Sequence, residues 1–102
     1  MNNKGKILTI DDEPDFGALI KTYFTIRGYE VFTAVRGLAG LEILEKEKPG
    51  VVFLDLKLPG IDGEEILKEI RKINPEARVI MITAFRDEGQ TKKRFLEAGV
   101  YA

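Results

Sequence analysis

Short apolar runs alternate with amphipathic segments along this chain. The amphipathic segments repeat apolar residues every three or four positions, which is typical of helices, whereas the runs of four to six residues are typical of buried strands. This alternation predicts βαβ units built around a parallel sheet. The predicted strands are residues 6–10, 30–34, 51–55 and 78–83, and the predicted helices are residues 14–27, 38–47, 64–73 and 87–97.

The polarity of the strands predicts their order in the sheet. The first, third and fourth strands are almost wholly apolar, as strands covered by helices on both faces must be, whereas the second strand is more polar and suits an edge. Right-handed crossovers then place helices on both faces. We therefore predict a doubly wound α/β sheet of flavodoxin-like type with strand order 2-1-3-4-(5), in which ligands bind at the carboxyl ends of the strands.

Acidic residues stand where two of the predicted strands end. Asp11 and Asp12 directly follow the first strand, and Asp55 ends the third. Carboxylates crowded at a sheet edge repel one another, and a bound cation relieves that repulsion. Mg²⁺ or Mn²⁺ suits such a site because it prefers oxygen ligands and keeps several waters. We predict direct contacts from Asp12 and Asp55, a water-mediated contact from Asp11, and a fourth ligand from the backbone carbonyl of Lys57.

The same edge suits phosphoryl chemistry. A metal beside Asp55 would neutralise part of the charge on an incoming phosphoryl group, so this carboxylate is a plausible acceptor. The hydroxyl of Thr83, at the end of the fourth strand, could donate a hydrogen bond to a phosphoryl oxygen. The small side chain of Ala84 would leave space for the phosphoryl group, and Phe85 would pack beside the site. A single strand-end aspartate is usually a helix cap or a solvated loop residue, and we expect one of these two roles for Asp62. Three acids and a threonine at matched strand ends favour a functional cluster instead.

Composition narrows the classes of function. The chain has 102 residues, enough for one domain, and a net charge of −1, which creates no field that would attract nucleic acid or an anionic membrane. It contains neither cysteine nor histidine, so thiolate and imidazole chemistry is excluded within it. The first residues lack the apolar stretch of a signal peptide. We therefore expect a soluble, cytoplasmic domain without direct contacts to nucleic acid or membrane.

Three segments carry a family resemblance. Residues 7–14 (ILTIDDEP), 52–63 (VFLDLKLPGIDG) and 79–84 (VIMITA) resemble, in this order and at this spacing, the receiver domain of bacterial response regulators. The resemblance covers essentially the whole chain. It implies a phosphoprotein of two-component signal transduction, working in a Mg²⁺-dependent phosphorelay.

The resemblance also implies roles for individual residues. Asp55 would accept a phosphoryl group from a histidine kinase or a histidine phosphotransfer protein, and Asp11 and Asp12 would hold Mg²⁺. Thr83 would be the switch hydroxyl that follows the phosphoryl group. Pro59 matches the loop after the acceptor strand, where it shapes the turn. Such a domain is not an enzyme, apart from slow self-dephosphorylation.

The chain departs from the family pattern at its C-terminus. Receiver domains continue into a fifth strand, which carries an aromatic residue and a lysine, and into a fifth helix, whereas this sequence stops at Ala102. We therefore expect a truncated receiver domain over residues 1–102, with strand five, its lysine and helix five largely missing. An uncovered strand edge is a template for pairing with another chain. We accordingly expect self-association, as a dimer, through the edge of strand four or the uncovered sheet face.

Two other functions remain open. The chain could be a receiver-like interaction module that is poorly phosphorylated or not phosphorylated, an alternative that the truncation favours. It could also be a metal-dependent phosphohydrolase with an aspartyl intermediate. The second alternative is weaker because Lys57 stands two residues after Asp55, where such an enzyme needs another acid.

Overall fold

In the computed structural model of the chain, strands and helices alternate along the first four strands, and a fifth strand follows. The structure describes residues 4–55, 58 and 62–82 with their side chains, and residues 83–87 and 90–97 as backbone only. The elements are β1 (Lys6–Ile10), α1 (Pro14–Ile26), β2 (Glu30–Ala34), α2 (Gly37–Glu47), β3 (Val51–Asp55), α3 (Gly63–Ile73), β4 (Arg78–Asp87) and β5 (Gln90–Glu97).

The strands form one sheet in the order β2-β1-β3-β4-β5, and the first four of these run parallel. Ile10 at the end of β1 lies beside Ala34 of β2 and Leu54 of β3, and Asp55 lies beside Ile82 of β4. The carboxyl ends of these strands therefore meet at one edge of the sheet. The predicted flavodoxin-like class and the predicted order of the first four strands are confirmed.

Two apolar clusters cover the sheet. The larger joins the sheet to α2 and α3, and the smaller joins it to α1. Each helix buries an apolar stripe while each central strand is apolar on both faces, as the sequence pattern predicts. The larger cluster includes Leu8, Ile10, Leu44, Val52, Leu54, Ile66 and Ile70, and the smaller consists of Ile7, Ile20, Val31, Phe53 and Ile82.

The segment after β4 differs from the prediction. We predicted a strand over residues 78–83 and a helix over residues 87–97, but β4 extends to Asp87 and β5 pairs with it in antiparallel fashion over residues 90–97. The predicted helix was poorly supported, because only Phe95 and Leu96 are apolar within it. A last parallel strand presents a row of unpaired N–H and C=O groups, and an antiparallel neighbour satisfies them. The predicted open edge of strand four is therefore wrong, and the fifth strand comes from an earlier segment than the family pattern implied.

The three described helices are short, at 13, 11 and 11 residues. Asp62 caps α3, which is one of the two roles expected for it, because its Oδ1 accepts a hydrogen bond of 3.2 Å from the backbone N–H of Glu64. Among the residues with a described position, no helix is long and apolar enough to cross a membrane.

Helix α2 ends at an unfavourable backbone conformation. Lys48, its C-cap, has φ 50° and ψ 58°, in the left-handed region that glycine adopts without steric cost. We expect Lys48→Gly to raise the free energy of unfolding by about 0.5–1 kcal/mol, since the relief of left-handed strain exceeds the entropy that glycine adds to the unfolded chain. Urea unfolding measures the change.

The matched control for this prediction is Lys46→Gly. Lys46 is also exposed and lies in the last turn of α2, where the backbone is helical. There the same substitution should lower the free energy of unfolding by about 0.5–1 kcal/mol. If both variants were destabilised by a similar amount, the prediction that the left-handed conformation of Lys48 is strained would be wrong.

Candidate functional site

The acidic residues are held at the sheet edge by the backbone of β1 and β3. Asp55 is the last residue of β3, and Asp11 directly follows β1. The backbone N–H of Asp11 donates a hydrogen bond of 3.0 Å to the carbonyl of Ala34, so the pairing of β1 with β2 continues one residue beyond the strand. Since β1 and β3 are neighbours, this places both acids at the same end of adjacent strands.

Three carboxylates converge at this edge. One oxygen from each of Asp11, Asp12 and Asp55 lies within 4.8 Å of the others. Asp11 is only 2% exposed and Asp55 only 3%, whereas Asp12 is exposed. Opposite ligands of an octahedral Mg²⁺ ion lie about 4 Å apart, so the cluster has the dimensions of a divalent-cation site. Its open side at Asp12 suits an ion that keeps several waters.

A local hydrogen bond orients Asp11. Its Oδ1 accepts a bond of 2.9 Å from the backbone N–H of Glu13, which ties the carboxylate to the residue that precedes α1. Glu13 is the N-cap residue of α1, but its side chain makes no capping bond. Sequence reasoning missed this role of the Glu13 N–H, although an aspartate two residues before a potential donor is a known signal of such a turn.

The predicted phosphoryl-binding residues can be placed only in part. The backbone of Thr83 lies in β4, one residue beyond the position that pairs with Asp55, and so on the acidic side of the sheet. Its side chain is outside the described part of the chain. The same holds for the side chains of Ala84 and Phe85, and for Lys57 and Pro59 as whole residues.

The opposite edge of the sheet has a different character. A groove of about 560 Å³ is lined there by residues of both charge signs, including Lys6, Glu47 and Arg78. Lys6 Nζ donates a hydrogen bond of 2.9 Å to Glu47, and this bond raises the pKa of the lysine above its usual value. The groove lining has four basic and two acidic side chains, and one of each is joined in the Lys6–Glu47 ion pair. The carboxylates at the other edge converge within 4.8 Å, so the acidic edge is the stronger candidate for function.

A family model matches this chain. The model described as "Response regulator receiver domain" matches residues 7–102, and thus nearly the whole chain. The match includes all three clustered acids.

Individual proteins give the same result. The chain is 45% identical over 80 residues to sporulation initiation phosphotransferase F of Bacillus subtilis, covering 78% of this chain and 64% of that protein. It is 43% identical over 83 residues to the probable transcriptional regulator ycf27 of Porphyra purpurea, covering 81% of this chain and 34% of that protein. The chain thus spans less than two thirds of the length of these two relatives.

Solved structures provide an independent comparison. A CheY-like response regulator receiver domain protein from Methanospirillum hungatei JF-1 has a TM-score of 0.75 at 31% identity, covering 81% of this chain and 66% of that one. A response regulator receiver domain protein from Clostridium thermocellum has a TM-score of 0.70 at 42% identity, covering 76% of this chain and 64% of that one. Sequence and fold therefore agree on the kind of domain.

Proposed function

Since this chain belongs to the response regulator receiver domain family, we propose that it accepts a phosphoryl group on Asp55 in a Mg²⁺-dependent phosphorelay. Receiver domains are signalling domains of two-component systems; in general they bind Mg²⁺ at an acidic pocket and take a phosphoryl group from a kinase. The observation that carries the proposal for this chain is the convergence of Asp11, Asp12 and Asp55 within 4.8 Å.

Asp55 is proposed as the acceptor because of its position. It lies between β1 and β4 at the end of a central strand, almost fully buried and fixed by the sheet. Its carboxylate oxygen would form a bond to phosphorus while the bond from phosphorus to the donor nitrogen breaks, giving an acyl phosphate. Bound Mg²⁺ would supply charge neutralisation at the phosphoryl oxygens. The rigid strand would supply positioning, on which phosphoryl transfer largely depends.

The metal ligands are proposed from the same geometry. Asp12 and Asp55 would contact Mg²⁺ (or Mn²⁺) directly, together with the backbone carbonyl of Lys57. Asp11 already accepts a hydrogen bond from the N–H of Glu13, so we assign it a contact through water. This set leaves room for the waters that Mg²⁺ retains.

Thr83 is proposed as the switch residue. Its backbone position beyond Ile82, the partner of Asp55, supports a hydrogen bond from its hydroxyl to a phosphoryl oxygen. Movement of Thr83 toward the phosphoryl group would then change the surface around the segment that follows. Ala84, Phe85 and Pro59 are proposed as the other neighbours of the phosphoryl group.

The proposed partners follow from membership in the receiver family. The donor would be a histidine kinase or a histidine phosphotransfer protein, and the phosphorylated histidine would be that partner's, since this chain has no histidine. We propose no direct contact with nucleic acid or membrane. Self-association as a dimer stays a prediction that sedimentation would test, but the argument from an open strand-four edge no longer supports it, since β5 pairs with β4.

The test of the proposed function is phosphoryl uptake from a small donor. The chain is incubated with acetyl phosphate and Mg²⁺ at neutral pH, and its intact mass is measured with and without EDTA. We expect one phosphoryl group per chain in Mg²⁺ and almost none in EDTA. Binding of Mg²⁺ without any uptake would contradict the proposal and favour the interaction module instead. Sustained hydrolysis of a small phosphoester by the same protein would favour the phosphohydrolase.

A further inference from the structure

Helix α2 approaches β1 more closely at Gly40 than any side chain would allow. A Cβ atom added to Gly40 would lie 2.5 Å from Cδ1 and 2.6 Å from Cγ1 of Ile10, whereas real Cβ contacts essentially never fall below 3.0 Å. Glycine within a helix is less stable than alanine, so a glycine at this position has a packing reason. That reason is the size of Ile10.

Ile10 has little space into which it could move. It is fully buried, its backbone is paired on both sides with Ala34 and Leu54, and it belongs to the larger apolar cluster. Protein interiors are packed at crystal-like density, so an added methyl group must displace either α2 or the end of β1. Of these two, the end of β1 bears directly on the acidic site.

Ile10, at the end of β1, directly precedes Asp11 of the acidic cluster. The position of Asp11 depends on two hydrogen bonds: its backbone N–H donates to the carbonyl of Ala34, and its carboxylate accepts from the N–H of Glu13. Mg²⁺ demands near-ideal octahedral geometry, so shifts of a few tenths of an ångström at its ligands matter. We propose that Gly40, through its contact with Ile10, is a positioning residue for the acidic cluster; this inference rests on the proposed Mg²⁺ site.

The variant that tests this inference is Gly40→Ala. We expect the affinity of this variant for Mg²⁺, measured by calorimetric titration, to fall about tenfold. Substitution of residues that orient metal ligands in other proteins has effects of this size. We also expect the amide NMR signals of Asp11 and Asp12 to shift in the metal-free protein. If the variant unfolds too readily, trimethylamine oxide keeps it folded, because this osmolyte is excluded from protein surfaces.

Two further variants separate positioning from stability. Ile10→Ala removes the Cδ1 and Cγ1 atoms that the added Cβ would meet, so Ile10→Ala combined with Gly40→Ala should recover most of the Mg²⁺ affinity and return the two amide signals. Gly50→Ala is the matched control: an added Cβ there meets nothing within 4 Å, and Gly50 lies at the other edge of the sheet. This control should bind Mg²⁺ like the original chain.

The outcomes distinguish the inference from the proposed function. If the original chain binds Mg²⁺ and Gly40→Ala binds it equally well with unshifted amide signals, the positioning role is wrong and the Mg²⁺ site stands. A lower urea midpoint with unchanged affinity would likewise show a purely structural role. If the original chain binds no Mg²⁺, the proposed site fails and the inference fails with it.

Discussion

Replacing Asp55 by asparagine is expected to abolish phosphoryl uptake from acetyl phosphate. Asparagine keeps the size and shape of the side chain, but its amide has no anionic oxygen to attack phosphorus. It also removes one of the three converging carboxylates, so Mg²⁺ affinity should fall as well. The matched control is Asp62→Asn, because Asp62 caps α3 and does not belong to the acidic cluster. Intact mass measured in Mg²⁺ provides the readout, and uptake by Asp55→Asn equal to that of the control would contradict the assignment of the acceptor.

The same substitution should have opposite effects on stability with and without Mg²⁺. Without the ion, loss of one of three close carboxylates should raise the free energy of unfolding by at least about 1 kcal/mol, which is the repulsion between two unit charges at this distance when water screens them fully. With the ion, the original chain should gain stability by mass action, by about 2.7 kcal/mol at an ion concentration 100 times the dissociation constant. Asp55→Asn should gain much less. Urea unfolding in EDTA and in Mg²⁺ measures both effects, and an equal gain in both proteins would place the ion elsewhere.

The largest loss of stability is expected for Ile66→Ala. Ile66 lies on the inner face of α3, is fully buried and belongs to the larger apolar cluster. Its truncation removes buried surface and leaves a cavity, so we expect the free energy of unfolding to fall by about 2–5 kcal/mol. That loss is a large part of the 5–15 kcal/mol available to a whole domain. Urea unfolding of the metal-free protein gives the value.

The matched control is Ile26→Ala, the same chemical change at a surface position. Ile26 is the last residue of α1 and is 77% exposed, so its truncation should change the free energy of unfolding by less than about 0.5 kcal/mol. Comparable losses at positions 66 and 26 would mean that α3 does not pack against the sheet as described. A small loss at both would have the same meaning.

Much of the fold could be predicted from local patterns. The bounds of β1, β2 and β3 agree with the prediction, and those of α1, α2 and α3 agree to within one residue. These elements have strong sequence signals. The strands are apolar runs and the helices carry an apolar stripe, and in addition Pro14 marks the start of α1 and the Asp62 cap marks the start of α3. The segment after β4 lacked such a signal, and its pairing was decided by the open edge of a neighbouring strand.

The sequence by itself predicted which side chains form the acidic cluster: the carboxylates at positions 11, 12 and 55, each at or just after the end of an apolar run. Local patterning sufficed because parallel strands bring their carboxyl ends to one edge. Only the tertiary structure decided that the three carboxylates lie within 4.8 Å and that Gly40 is needed beside Ile10. Both depend on contacts between residues distant in sequence, and neither composition nor periodicity contains that information.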